Sequence, residues 1–333
     1  MPGQNKNSRK TISKKNIKRK TPKRLKKVIR KRKKIGGNVS NNEATQKNKQ
    51  MCSPSNAYDD TCFTLDALKR IAKKLNVRLN DNNAKIKMTQ NKKLLVKDIN
   101  KKMCNKYDKI DFCILDNDKW QGDEEIKKII RKTFKPPQPL GKSTWLNSID
   151  IRDVMSQFED VYPEFIFLGP VPIDFDDILT EVGNINLKKL SKQKKKIGII
   201  FNTDPHNKPG EHWISMFIDL DNKSICFFDS TGDPPSKEIE KLINKLERQS
   251  KSLTINFTKF KTTKNKKQHQ FNNSECGIYS LFFIIQRLAG NSCNNIFNTL
   301  IHDKKMNENR EVFFTKQSDK KPVPKLLLES FSF

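Results

Sequence analysis

Residues 212–230 read HWISMFIDLDNKSICFFDS. Two apolar runs flank the turn-forming pair Asp221-Asn222, a pattern that predicts a β-hairpin. His212 opens the first strand and Asp229 closes the second, so pairing would bring the two side chains near each other across the ladder. Working outward, IGIIFNT (197–203) and SLTINFTKF (252–260) read as further strands, and EFIFLGPVPIDF (164–175) as an extended run that breaks at its prolines. TWLNSIDIRDVMSQFEDVYP (144–163) reads as an N-capped helix, SKEIEKLINKLERQ (236–249) as an amphipathic one, and 276–288 as an apolar one. Strands and helices mix without strict alternation, which predicts an α+β class rather than a parallel α/β sheet.

The rest of the 333 residues divides by texture. Seventeen of the 67 Lys and Arg fall in residues 1–34, with no Asp or Glu among them. Residues 1–50 are poor in apolar side chains and are expected to form a disordered basic tail, an electrostatic arm for nucleic acid or an import signal. From Met51 to about 134 a small helical domain is expected. CFTLDALKRIAKKLNV (62–77) lines up an apolar face behind Thr64 or Asp66 as N-cap, KKLLVKDINKKM (92–103) is a second helix, YDKIDFCILDNDKW (107–120) is irregular, and a helix lies near 123–133. KPPQPLGKS (135–143) is a linker, so residues 135–333 form the larger domain. No stretch approaches the roughly 18 apolar residues of a membrane span, and no secretory signal is visible. Seven cysteines form no CxxC pair. Cys52 and Cys62, and Cys104 and Cys113, have nine and eight residues between them, too many for the usual close pairs of a zinc site, and free thiols in a reducing compartment are expected.

The chemistry lies in QFNNSECG (270–277), where a polar run leads into Cys276-Gly277 and an apolar helix. A thiol at a helix N-terminus meets a dipole that favours the thiolate. His212 would be its base, Asp229 would fix the imidazole tautomer, and Gln270 would offer its side-chain amide to an oxyanion. Each residue alone is more often packing, surface or turn; together they are specific.

At this point the chain resembles the ubiquitin-like-protein-specific cysteine proteases (the SUMO and Nedd8 deconjugases) and the related processing proteases of adenoviruses and large DNA viruses. The family's His-Trp strand and aromatic-Asp-Ser strand are matched by EHWISMFIDLDNKSICFFDSTG, and its Gln-x-Asn-x-Ser-Asp/Glu-Cys-Gly signature by QFNNSECG. Trp145-Leu146-Asn147 matches the Trp-Leu-Asn-Asp that begins the family domain, with Ser148 in place of the Asp. The resemblance implies a papain-like cysteine protease domain with Cys276 as nucleophile, His212 as base, Asp229 as orienter and Gln270 in the oxyanion hole. Trp145 and Trp213 would form a slot for Gly before the cut, with no metal and no cofactor. The helical segment 51–133 is similar to that of large-DNA-virus proteases. The expected function is therefore cleavage of viral precursor proteins after Gly-containing sites during virion maturation, in the virion and host cytoplasm or, from the basic tail, the nucleus. Two alternatives stay open: a deconjugase of ubiquitin-like modifiers, and a catalytically dead nucleic-acid-binding virion protein. Ile35-Gly36-Gly37-Asn38 is a self-cleavage candidate or a plain flexible joint.

Overall fold

The computed structural model describes residues 51–331, apart from 57–59, 80–84, 105–108, 117–119, 121, 142, 179, 254–257 and 317–324. The expectations for the tail 1–50, the Gly37 site included, lie outside the described residues.

Among the described residues four helices come first: α1 (Leu65–Arg78), α2 (Lys92–Met103), α3 (Ile110–Leu115) and α4 (Glu124–Thr133). Three start at a side-chain cap, where Thr64, Asn91 and Asp123 each accept a backbone N–H of the first turn. Leu68, Ile71, Ala72 and Leu75 of α1 pack with Leu95, Ile99, Ile126 and Ile130 in one apolar cluster. The stretch 110–115, expected to be irregular, folds as α3. Its buried Asp111 accepts from the Thr61 hydroxyl (2.7 Å) and the Cys62 N–H (3.0 Å), which anchors the short helix to the segment before α1.

α5 (Ser148–Val161) follows, closed by a reciprocal capping box between Asn147 and Asp150. The sheet is built from β1 (Phe165–Phe167), β2 (Val171–Pro172), β3 (Lys196–Asn202), β4 (Trp213–Asp219), β5 (Ser224–Phe228) and β6 (Lys261–Lys264). Its order is β1-β3-β4-β5-β6, with β2 also paired to β3. The β3–β4 and β4–β5 pairs are antiparallel; β1 and β2 run parallel to β3, and β6 parallel to β5. The expected hairpin is present, turning through residues 220–223. The middle of the strand expected at 252–260 lies outside the described residues (254–257), and the strand that pairs with β5 is Lys261–Lys264. β6 pairs with a single neighbour at the sheet edge, where lysines are suited and an apolar run is not required.

The central strand β4 is buried along its whole length, hence its near-continuous apolar sequence. Ile214, Met216, Ile218, Ile225 and Phe227 pack on one face with Ile239, Leu242 and Leu246 of α7 (Lys237–Lys251), near the short α6 (Leu187–Leu190). Phe217, Cys226 and Phe228 pack on the other with α5 and α8 (Cys276–Leu288). Four short helices complete the chain: α9 (Cys293–Asn298), α10 (Asp303–Glu308), α11 (Arg310–Phe313) and α12 (Lys325–Phe331). α12 returns to the first cluster, where Leu326, Leu327 and Phe331 pack beside α4. No helix among the described residues is long and apolar enough to cross a membrane.

The cysteines depart from expectation. Cys52–Cys62, Cys104–Cys113 and Cys226–Cys293 are disulfides, and only Cys276 of the seven is free. Their Cα separations of 5.2, 5.5 and 6.3 Å suit a disulfide. The spacings that count against zinc are compatible with small closed loops.

Candidate active site

Three chain segments meet at the open end of the hairpin. In the β4–β5 register Ser215 faces Phe228, so His212 and Asp229, each one residue outside its strand, end up side by side. His212 Nε2 donates to Asp229 Oδ1 over 2.8 Å. The Thr231 N–H and hydroxyl donate to the same oxygen (2.9 and 2.7 Å). Asn265 brackets the backbone of Asp229: its Oδ1 accepts the Asp229 N–H at 2.8 Å, and its Nδ2 donates to the Asp229 carbonyl at 2.6 Å. The backbone of Asp229 is thus fixed by Asn265, and the oxygen that meets the imidazole is also held by Thr231.

Cys276 begins α8 and is buried. α8 is held against β4 by Ser280, whose hydroxyl donates to the Trp213 carbonyl (3.1 Å). At Gly277 a Cβ would lie 3.0–3.2 Å from the Leu146 side chain, so the absence of one lets the helix start press against the segment that carries Trp145. With Nε2 committed to Asp229, Nδ1 is the ring nitrogen left for the Cys276 thiol, which acts on the charge of the imidazole. Burial works against a charge on His212 but is outweighed by the Asp229 hydrogen bond, the Cys276 hydrogen bond and the charges of both. The imidazole is pushed up from 6.5 to about 10 and is held as imidazolium at neutral pH.

Gln270 lies in the loop before Cys276. Ser230, the neighbour of Asp229, donates its hydroxyl to Gln270 Oε1 (2.7 Å) and so fixes which way the amide faces. Nε2 then donates one N–H to the Asn272 carbonyl (2.6 Å) and keeps a second. The loop is braced from α10, where Asp303 Oδ2 accepts the Phe271 and Asn272 N–H groups, both at 2.9 Å. The Tyr279 hydroxyl of α8 lies 3.1 Å from Asp303 Oδ1 and 2.9 Å from the His269 carbonyl.

The two tryptophans differ. Trp213 is buried, its indole N–H donating to the Leu146 carbonyl at 2.8 Å, whereas Trp145, one residue before Leu146, is 44% exposed. Of the residues singled out in the sequence, the structure joins His212 to Asp229, links Gln270 to Asp229's neighbour Ser230, and ties Trp213 to Leu146 beside Trp145. The sequence reading missed Ser230, Asn265, Asp303 and Tyr279 as supporting groups. Ser230 stood within the quoted aromatic-Asp-Ser match, but the other three carry no local signal. Among the described residues no group of three or more His, Cys, Asp or Glu gathers as a metal site.

The chain and its fold have relatives elsewhere. Residues 153–320 match the Ulp1 protease family, C-terminal catalytic domain. The chain is 33% identical over 290 residues to a relative from Acanthamoeba polyphaga mimivirus that carries the name of a thiol protease, covering 81% of this chain and 95% of the relative. It is 26% identical over 206 residues to a cysteine protease of African swine fever virus, covering 57% of this chain and 75% of the relative. In fold it is similar to the crystal structure of the African swine fever virus protease, with a TM-score of 0.57, 22% identity, and coverage of 79% of this chain and 95% of that one. A mixed sheet flanked by helices, a family match over the hairpin and the Cys276 segment, and likeness over 81% of the chain to a relative named as a thiol protease converge: the chain belongs to the Ulp1 protease family and is a cysteine peptidase.

Proposed function

We propose that Cys276 is the nucleophile of an endopeptidase that cuts after Gly and processes viral precursor proteins. The observation that carries this reading is the part-buried His212–Asp229 pair, 2.8 Å apart, set beside the one cysteine of seven outside a disulfide. The Cys276 thiolate attacks the scissile carbonyl carbon, forming an S–C bond as the carbonyl electron pair moves onto oxygen. The free N–H of Gln270 and the Cys276 backbone N–H receive that oxyanion. As the intermediate collapses the C–N bond breaks, and the imidazolium of His212 gives its proton to the leaving amine. A water then attacks the thioester, His212 takes its proton, and release of the acid restores the thiolate–imidazolium pair. Trp145 and Trp213 form the walls before the cut and favour a residue without a Cβ. The maturation role draws support from the viral origin of the relatives and from a likeness that extends beyond the catalytic segment.

A thiol-directed activity probe tests the chemistry. Wild type should label and Cys276→Ala should not; equal labelling sinks the enzyme mechanism as written. Incubation with virion precursor proteins should release new N-termini preceded by Gly. A second reading is favoured by one observation, that some African swine fever virus relatives are named SUMO-1 cysteine proteases. Efficient cleavage of fluorogenic SUMO or ubiquitin, with precursors left intact, would replace maturation by deconjugation.

A further inference from the structure

Arg310 of α11 is 1% exposed, and its fork reaches three separate segments. Nε donates to Asn307 Oδ1 of α10 (2.6 Å). Nη2 donates to the Thr144 carbonyl (2.7 Å), the residue before Trp145, and to the Ser274 carbonyl (3.3 Å), two residues before Cys276. Nη1 is buried with no hydrogen-bond partner among the described residues, and so is Oε2 of Glu275. The charged groups around the guanidinium are Asp150 of α5, Glu275 and the Cys276 sulfur, and all three favour its charge against the cost of burial. A buried cation is costly, and apolar side chains of similar volume often fill such a place at least as well. The guanidinium is therefore explained better by what its planar fork can span than by packing.

We propose that Arg310 is a positioning residue that sets the distance between the Trp145 wall and the Cys276 loop by holding the Thr144 and Ser274 carbonyls on one guanidinium. This rests on the reading of Cys276 as nucleophile and Trp145 as a wall of the Gly slot. Thr144 and Ser274 are 130 positions apart, and the first directly precedes Trp145 while the second stands two residues before Cys276. A single rigid group bonded to both keeps a bound peptide aligned with the sulfur. A displacement of about 1 Å at such a junction costs on the order of 100-fold in rate, while leaving the thiol itself reactive. A lysine keeps the charge among Asp150 and Glu275 but is a point donor without a planar fork.

The test compares turnover of a Gly-Gly-aminomethylcoumarin peptide and its Gly-Ala analogue with alkylation of Cys276 by iodoacetamide, followed by intact mass. R310M should lose about 100-fold in kcat/KM, R310K about tenfold and N307A a few-fold. Alkylation in all three should stay within about threefold of wild type, and the preference for Gly over Ala should narrow. Turnover by R310M within about twofold of wild type overturns the proposal, and so does a parallel fall of turnover and alkylation. If R310M does not fold, R310K and N307A decide, and wild-type turnover in both overturns it. C276A and W145A serve as controls. A C276A that still turns over substrate overturns the reading of the site and this proposal with it. Where C276A is dead and W145A has relaxed its Gly preference, an unaffected R310M overturns the role of Arg310 alone.

Discussion

Asp229 holds the charge on His212, and that role has a measurable signature. Because the imidazole is pushed up to about 10, its charged form persists through neutral pH and is lost as pH rises through that value. The same shift adds stability that is whole below the ordinary 6.5 and disappears across the interval up to about 10. Asp229→Asn keeps an acceptor for the ring N–H but removes the countercharge. The alkaline limb of kcat/KM should therefore move down from about 10 toward 6.5, with a loss of about tenfold or more at pH 8. An unmoved limb would mean that another group sustains the imidazolium. His212, Asp229, Cys276 and Gln270 could be picked out of the sequence because each stands where a polar segment meets an apolar one, and because the four together are specific where each alone has a commoner explanation. Arg310 was not legible, since its partners Thr144 and Ser274 lie 166 and 36 residues away and backbone carbonyls leave no trace in a sequence.

At the level of elements, the hairpin, α5, α7 and α8 follow from caps and from the period of their apolar residues. β6 and α3 did not follow, because the first is chosen by an edge partner and the second by a buried Asp111 contact across 50 residues. The loop 269–272 belongs with these context-set pieces, as α10 holds it through Asp303. Asp303→Ala leaves two N–H groups without their acceptor and frees the loop that carries Gln270. We expect kcat to fall by about tenfold or more with KM changed little, since the oxyanion donor matters most in the transition state. Thermal unfolding of the same variant should show a fold that is weakened but present. An unchanged kcat would show that the loop keeps its shape without α10.

Across the whole molecule, the disulfides and the proposed nucleophile Cys276 place opposite demands on redox conditions. Closing the loop between Cys226 and Cys293 contributes about 4 kcal/mol by chain entropy, and each of the two shorter loops about 3 kcal/mol. A reductant strong enough to open them should lower the thermal midpoint by several degrees or more, while a mild one keeps Cys276 active. An unchanged midpoint after complete reduction, verified by thiol counting, would remove the disulfides from the account of stability. The return of α12 to the first helical cluster bears on timing as well as on packing. A ribosome makes α1–α4 first, yet Leu326, Leu327 and Phe331, which complete their apolar contacts, emerge only after the whole sheet and α8. The layer synthesised first is thus sealed last. During translation its exposed apolar face must wait through nearly two hundred residues of growing chain, counted from the end of α4 to the start of α12.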